Sequence, residues 1–281
     1  SGLSRYHPSP MKSERDYVLG THDEEIERLA LQNRVWRPRT LDAWRRAGFT
    51  VGQTLIDVGC GPGYASIDLA EIVGPTGKVV AIDRSRRFLD ALESFREQLS
   101  LPQIEPHELD LDESPLPQLL ADGAWSRWVF AFVKRPRDLL KRVAKGLKPG
   151  ATWVLYEYFQ YSTWQFAPRS PLMEEFVRAV MESWRAAGGE PDIGLDLPRW
   201  LEEEGFELKE LRPIIDVVTS KNYTWQWPKA FEQVGLDRMI DLGVVTRERA
   251  RAMADEFAAR NADPHSLVIN PAVLEIIAVR R

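Results

Sequence analysis

Short apolar runs alternate with helical patterns between residues 54 and 159 of this 281-residue chain. The runs at residues 54–59 and Lys78–Asp83 indicate buried strands. Tyr64–Val73, between them, has apolar residues at helical spacing, and Ser85 is suited to cap a further helix. Strands that alternate with helices predict a parallel sheet with helices on both faces, which is a doubly wound α/β fold.

The same patterns predict elements along the rest of the chain. A helical pattern covers residues 23–47, and Pro38 predicts either two helices or one kinked helix there. Beyond residue 100, strands are predicted at 104–109, within 123–133, and at 152–159, 206–219 and 267–281, the last bent or interrupted around Pro271, and helices at 85–99, 136–147, 160–189, 197–204 and 223–260.

These elements predict one large domain with additions. The core is expected to span residues 50–281, with helical insertions at about 160–200 and 220–265. Residues 1–49 are expected to form a helical lid, and the lid and the insertions together would form a helical cap over the core.

Composition narrows the classes of function. Hydrophobic residues make up 44% of the chain, the net charge is −5, and no long run of Lys or Arg is present. A small-molecule substrate is therefore expected rather than nucleic acid. The apolar runs are far shorter than the roughly 20 residues that span a bilayer, so no membrane insertion is expected. One cysteine excludes an internal disulfide, and we expect a cytoplasmic monomer or homodimer.

A glycine-rich turn follows the first predicted strand. Gly59, Gly61 and Gly63 have the spacing G-x-G-x-G, whereas dinucleotide-binding loops have G-x-G-x-x-G, which would require glycine at Tyr64. Asp57 lies two residues before the first glycine. A carboxylate there disfavours a pyrophosphate but suits the ammonium group of a bound amino acid.

A second acidic residue ends the second strand. Asp83 is placed to accept hydrogen bonds from both ribose hydroxyls of an adenosine, a feature that nicotinamide-dependent enzymes share. The combination of Asp57, three glycines at spacing two and Asp83 favours an adenosine ligand that carries an amino-acid group over a dinucleotide.

At these positions the sequence resembles the class I S-adenosylmethionine-dependent methyltransferases. Residues 57–63 resemble the first motif of that family, and residues 147–150 resemble its Leu-Lys-Pro-Gly turn. The resemblance implies a Rossmann-like, seven-stranded, mostly parallel sheet whose last strand is antiparallel, and S-adenosylmethionine as cofactor. The implied cofactor-binding residues are Tyr17, Arg28, Asp57, Gly59, Cys60, Gly61, Gly63, Asp83, Arg84, Asp110, Leu111, Ser126 and Arg127, with Asp112 as a rival of Asp110.

The chain also resembles the small-molecule branch near the methyltransferases of ubiquinone and menaquinone biosynthesis. This resemblance implies methyl transfer to a small aromatic or apolar molecule, with O-, N- and C-methylation open. Two alternatives are a non-catalytic S-adenosylmethionine-binding protein and a nicotinamide-dependent oxidoreductase.

Candidate residues for chemistry are few. Glu157, at the end of the fifth strand, is the candidate general base, and His22, near the lid, is a second candidate. Tyr158, Tyr161 and Trp164 are expected in the substrate pocket, although aromatic core packing explains each equally well. The His, Cys and acidic residues lack metal-ligand spacing, so no metal is expected.

Overall fold

The computed structural model describes residues 23–281. The helices and strands follow in chain order: α1 Asp23–Arg46, β1 Thr54–Val58, α2 Tyr64–Val73, β2 Lys78–Asp83, α3 Arg86–Gln98, β3 Ile104–Glu108, β4 Ala121–Arg127, α4 Pro136–Lys145, β5 Leu147–Gln160, β6 Gln165–Ala167, α5 Pro171–Ala186, α6 Leu197–Glu203, β7 Phe206–Ile214, β8 Val217–Thr219, α7 Gln226–Asp241, α8 Arg247–Ala262, β9 Leu267–Ile269 and β10 Ala272–Arg280. Short 3₁₀ turns occur at Tyr161–Thr163, Ile193–Leu195 and Tyr223–Trp225.

The main sheet has seven strands in the order β3-β2-β1-β4-β5-β10-β7. Strands β1 to β5 are parallel, whereas β10 is antiparallel to both of its neighbours, β5 and β7. The prediction of a doubly wound, mostly parallel sheet with an antiparallel last strand is therefore confirmed. The strand order reverses between β1 and β4, which is where such sheets bind ligands at the carboxyl ends of their strands.

A second sheet corrects three predictions. Strands β6, β9 and β8 form a three-stranded antiparallel sheet, so the cap is not purely helical and 160–189 includes a strand. The predicted strand 206–219 is two strands that belong to different sheets. The predicted interruption of the strand 267–281 around Pro271 is confirmed, because β9 ends at Ile269 and β10 begins at Ala272. The chain leaves the main sheet at Asp216, whose carbonyl oxygen accepts a hydrogen bond from the Asn270 backbone nitrogen at 2.9 Å.

Helix α1 is continuous despite Pro38, so the prediction of two helices there is wrong. Arginines on α1 bind acidic residues of the core and hold the helix along its length. Arg37 pairs with Asp68 at 3.0 Å, and Arg39 pairs with Asp216 at 2.6 Å. Packing and ion pairs of the whole helix can outweigh the hydrogen bond that one proline removes.

Alternation along β4 and β5 decides which side chains face the ligand edge. On β5, Val154, Tyr156 and Tyr158 pack into one core cluster, whereas Trp153 and Leu155 pack into the cluster on the other face. The first face is the one that α1 and the cap cover, because Trp36 of α1 contacts Tyr156 with ring centroids 5.9 Å apart. No helix within residues 23–281 is both long enough and apolar enough to cross a membrane.

Two glycines of the turn after β1 differ in the space available for a side chain, and alanine substitution tests this difference. A Cβ atom at Gly63 would lie 2.2 Å from Leu92 Cδ1, whereas a Cβ at Gly61 would meet no heavy atom within 4 Å. Both residues have positive φ, 87° and 55°. We expect both alanine variants to lose about 1–2 kcal/mol of unfolding free energy to backbone strain, and Gly63→Ala about 1–3 kcal/mol more through overpacking. Urea unfolding of the ligand-free protein measures both, and equal losses would contradict this account.

Candidate functional site

A cavity lies at the carboxyl ends of β1, β2, β4 and β5, under α1 and the cap. Its empty volume is about 1460 Å³, including its opening. One end holds the glycine turn, and the other end is lined by aromatic rings.

The glycine turn is held from below by the end of β2. The backbone nitrogens of Gly59 and Cys60 both donate to the carbonyl oxygen of Ile82, at 2.8 and 2.9 Å. The Asp83 carboxylate accepts hydrogen bonds from the backbone nitrogens of Gly61 and Ser85, both at 2.9 Å. Asp83 therefore fixes the shape of the turn.

Two opposite charges face this end of the cavity without touching each other. Asp57 is 1% exposed, and one of its carboxylate oxygens accepts a hydrogen bond from Ser66 Oγ at 2.6 Å. Burial raises the pKa of Asp57 to about 7. Arg127, the last residue of β4, donates to Asn33 Oδ1 at 3.2 Å and Thr40 Oγ1 at 3.4 Å. Burial lowers the pKa of Arg127 to about 10, and within residues 23–281 this guanidinium forms no ion pair.

The other predicted residues of the nucleoside end also line the cavity, namely Gly59, Cys60, Gly61, Arg84, Asp110 and Leu111. Asp112 lines it too, but Asp112 Oδ1 already accepts hydrogen bonds from the backbone nitrogens of Lys134 and Arg135, at 2.7 and 3.0 Å. Asp110 Oδ1 in turn accepts from the Asp112 nitrogen at 2.9 Å. Their roles in binding stay predictions.

The far end of the cavity is built from aromatic side chains, which we call the aromatic wall: Trp128, Tyr158, Tyr161, Trp164, Trp184, Trp227 and Phe231. Trp128 is stacked with both Tyr158 and Trp227, with ring centroids at 5.3 and 5.4 Å. Tyr161 contacts Trp184 edge to face at 4.9 Å. The predicted pocket residues therefore line the cavity, and they also pack as a continuous aromatic cluster.

Trp128 has a strained backbone at the junction of the two ends. Its φ is 52°, a left-handed conformation that is rare for a bulky residue, and its nitrogen donates to the Tyr156 carbonyl oxygen at 2.9 Å. The Arg127 guanidinium lies 5.3 Å from the centroid of its ring. The turn at the end of β4 thus directs Arg127 toward the glycine end and Trp128 into the aromatic wall.

Arg28 lies among the aromatic side chains rather than beside the glycine turn. Its guanidinium is 5.8 Å from the Phe231 ring centroid and binds both carboxylate oxygens of Glu25, at 2.7 and 2.8 Å. It also donates to Gln32 Oε1 at 3.2 Å, and Gln32 accepts from Trp227 Nε1 at 3.3 Å. These contacts join α1 to α7 across the top of the cavity.

Two predicted cofactor residues do not line the cavity. Ser126 lies between Trp125 and Arg127 on β4, so its side chain is on the opposite face of the sheet, where its hydroxyl has no partner within the described chain. At Gly63, the space that a side chain would need is occupied by Leu92 of α3. Ser126 and Gly63 are thus positioned for packing, and their binding of the cofactor stays a prediction.

Glu157, the predicted general base, also lies outside the cavity. Its side chain is fully buried and does not line the cavity. Its carboxylate accepts hydrogen bonds from the backbone nitrogens of Val129, Phe130 and Ala131, at 2.7, 2.8 and 3.4 Å. Strand alternation points it away from Tyr156 and Tyr158, where it holds the loop after β4. Burial nevertheless raises the pKa of Glu157 to about 8.

Tyr17 and His22 lie outside the described residues. Within residues 23–281, no group of three or more His, Cys, Asp and Glu side chains could hold a metal ion.

Sequence reasoning missed the cap side of the site. Trp184 of α5 and Trp227 and Phe231 of α7 complete the aromatic wall, and Glu25 and Gln32 support Arg28. The ten tryptophans of the chain indicated aromatic residues beyond the sheet. The spacing of Trp227 and Phe231, four residues apart on a helix, was the local signal that places both on one face.

Comparison with known proteins agrees with the fold and the glycine turn. Residues 55–150 match a family model described as a methyltransferase domain. The chain is 30% identical over 129 residues to the demethylmenaquinone methyltransferase of Oceanobacillus iheyensis, which covers 46% of this chain and 53% of that protein. It is 26% identical over 179 residues to the 2-phytyl-1,4-naphtoquinone methyltransferase of Synechococcus elongatus, covering 63% and 72%. For three of the curated relatives that it matches, the chain spans 20–53% of the relative's length.

Solved structures share the fold. The chain superposes on a SAM-dependent methyltransferase from Aquifex aeolicus with a TM-score of 0.51 and 20% identity, covering 68% of this chain and 92% of that chain. At this identity the likeness concerns the fold.

The buried Asp57 carboxylate should lower the stability of the ligand-free protein. Its pKa of about 7 lies above the ordinary value of 3.8, so its contribution to stability is fully present below pH 4 and is lost as the pH rises toward 7. We therefore expect Asp57→Asn, which can still accept from Ser66, to exceed wild type by about 1–3 kcal/mol in unfolding free energy at pH 8. The gap should close near pH 4. Urea unfolding at the two pH values tests this, and a gap independent of pH would contradict it.

The first motif, the strand order and the matched family model all identify the same segment. Residues 55–150 therefore match a methyltransferase domain, and over roughly half of its length the chain is similar in sequence to the methyltransferases of quinone biosynthesis.

Proposed function

We propose that this chain transfers a methyl group from S-adenosylmethionine to a small aromatic or apolar molecule. The observation that carries the proposal is a continuous cavity with the glycine turn at one end and the aromatic wall at the other. A cofactor at the first end would present its methyl group to a molecule at the second. The names of the quinone methyltransferase relatives agree with an aromatic acceptor.

The residues at the glycine end suit the proposed cofactor. Gly61 lines the cavity and has open space where a side chain would lie, so a ligand can approach its backbone. Asp57 and Arg127 offer opposite charges to one ligand, which fits the ammonium and carboxylate groups of a methionine moiety. Asp83 is proposed to hold the ribose, with Arg84, Cys60, Asp110 and Leu111 around the nucleoside, and Tyr17 stays a proposed contact.

For this reaction, the main task of the protein is to position the cofactor and the acceptor. When bound, S-adenosylmethionine supplies a methyl group that its positive sulfonium already activates. The protein would hold the acceptor in line with that group and exclude water, and such orientation is worth effective molarities of about 10⁵–10⁸ M in favourable cases. With Glu157 outside the cavity, His22 is the proposed base if the acceptor must lose its proton at the site. We propose a cytoplasmic monomer or homodimer that binds no nucleic acid.

Turnover tests the proposed function directly. Purified protein with S-adenosylmethionine and a panel of naphthols, naphthoquinols and other hydroxyaromatic compounds should produce S-adenosylhomocysteine and a product heavier by one methyl group. Mass spectrometry detects both. A thermal shift with S-adenosylhomocysteine but not with NAD is expected as well. Binding of NAD alone would refute the proposal, and cofactor binding without turnover on any acceptor would favour the non-catalytic alternative.

The proposed carboxylate contact of Arg127 can be isolated by comparing two ligands. Decarboxylated S-adenosylmethionine keeps the amine and the nucleoside but lacks the carboxylate. Arg127→Met should weaken S-adenosylmethionine binding by about 10- to 100-fold, because a charge-assisted hydrogen bond is lost. The affinity for the decarboxylated ligand should change by less than about threefold.

Isothermal titration calorimetry measures both affinities. Arg34→Met is the matched control, because Arg34 is exposed on the same helix that covers the cavity and its side chain donates a hydrogen bond to the exposed Tyr223 hydroxyl at 3.3 Å. This control should bind both ligands as wild type does. Equal losses for the two ligands in Arg127→Met would show that Arg127 does not bind the carboxylate.

A further inference from the structure

At the aromatic end of the cavity, the side-chain hydrogen-bond acceptors are already bonded within the protein, whereas some donors are unused. Arg28 and Gln32 line it, together with Tyr158 and Tyr161. Gln32 Oε1 already accepts from Arg28 and from Trp227 Nε1. Both carboxylate oxygens of Glu25 are bound to Arg28. The hydrogen-bond acceptors at this end are therefore engaged within the protein.

Hydrogen-bond donors at this end remain available. A guanidinium has five N–H groups, and three of those of Arg28 make the bonds to Glu25 and Gln32. The hydroxyls of Tyr158 and Tyr161 make no hydrogen bond within residues 23–281. Burial raises the pKa of both phenols, so both stay protonated and can donate.

Arg28 is held in place and keeps its charge. Its side chain is 6% exposed, and burial opposes the charge, but the Glu25 carboxylate outweighs that effect and the pKa of Arg28 rises. The bidentate pair fixes the plane of the guanidinium. Because Arg127 is the proposed partner of the methionine carboxylate at the other end of the cavity, the proposed cofactor does not need Arg28.

The aromatic wall is poorly arranged for a cationic acceptor. A site for an alkylammonium group presents open ring faces, but Trp128 is already stacked with both Tyr158 and Trp227. The carboxylate of Glu25 is engaged by Arg28, and the Arg28 charge itself would repel a cation. An oxygen atom on a flat aromatic body satisfies the unused donors and the apolar surroundings together.

We propose that Arg28, supported by Glu25, selects the methyl acceptor by binding an oxygen of a planar hydroxyaromatic compound, with Tyr158 and Tyr161 as additional donors. The proposal rests on the proposed function. The sequence resemblance implied that Arg28 binds the cofactor, and this proposal assigns Arg28 to the methyl acceptor instead. It also predicts that alkylamines are not acceptors.

Binding of three probes to protein saturated with S-adenosylhomocysteine tests this selection. The probes are 2-naphthol, naphthalene and (2-naphthylmethyl)trimethylammonium, which share the ring system and differ in the polar group. Wild type should bind 2-naphthol at least about tenfold tighter than the other two, by one charge-assisted hydrogen bond. Calorimetry measures each affinity.

The variant removes both charges together, because Arg28→Met alone would leave a buried carboxylate without its partner. Glu25→Gln/Arg28→Met should bind 2-naphthol only as well as naphthalene, and its affinities for naphthalene and for S-adenosylhomocysteine should stay near those of wild type. Tyr161→Phe leaves the ion pair intact and should cost about threefold to tenfold in 2-naphthol affinity alone. Arg34→Met should match wild type throughout.

The outcomes separate this inference from the proposed function. Preference for the ammonium probe, or an equal loss of all three probes in the double variant with S-adenosylhomocysteine still bound, would overturn the role of Arg28. If the double variant does not fold, an unchanged 2-naphthol affinity in Tyr161→Phe would overturn the donor set. Failure of wild type to bind S-adenosylhomocysteine would instead refute the proposed function, and the inference with it.

Discussion

Asp57 and Arg127 face one cavity with opposite charges and do not pair, and the rest of the site is arranged around this constraint. Enclosing a charge is costly unless a partner is close. Asp57 has a neutral hydroxyl, and Arg127 has an amide oxygen and a hydroxyl. The protein has thus left both charges to be neutralised by a ligand that carries both signs. The glycine turn beside them keeps side chains out of the space that such a ligand would fill.

Helix α1 connects that charge pair to the acceptor end. Its outward arginines pair with the core, as Arg37 does with Asp68 and Arg39 with Asp216. Its inward side supplies Asn33 to Arg127 and places Arg28 against the aromatic wall. Helix α1 therefore positions one guanidinium at the proposed cofactor end, that of Arg127, and one at the proposed acceptor end, that of Arg28. Rigidity of this kind favours orientation as the source of catalysis.

The strained backbone at the end of β4 positions side chains at both ends of the cavity. Glu157 binds three successive backbone nitrogens after Trp128, and these bonds hold the loop in which Trp128 adopts its left-handed conformation. A buried carboxylate that satisfies backbone donors is a structural device. Its raised pKa, taken alone, would have suggested an acid or base, and only its hydrogen bonds assign it to the scaffold.

The local pattern of residues determined the sheet, its alternation with helices, the glycine turn and the acid at the end of β2, because all of these depend on neighbours within about ten residues. Which face of a strand Ser126 and Glu157 occupy, and where the chain leaves one sheet for another near Asp216, depended on pairing between distant strands. The placement of Arg28 among aromatic rings required α7, some two hundred residues away, to fold against α1. Sequence therefore specified the cofactor end, which one strand–turn–helix unit builds, whereas tertiary packing alone assembled the acceptor end from separate segments.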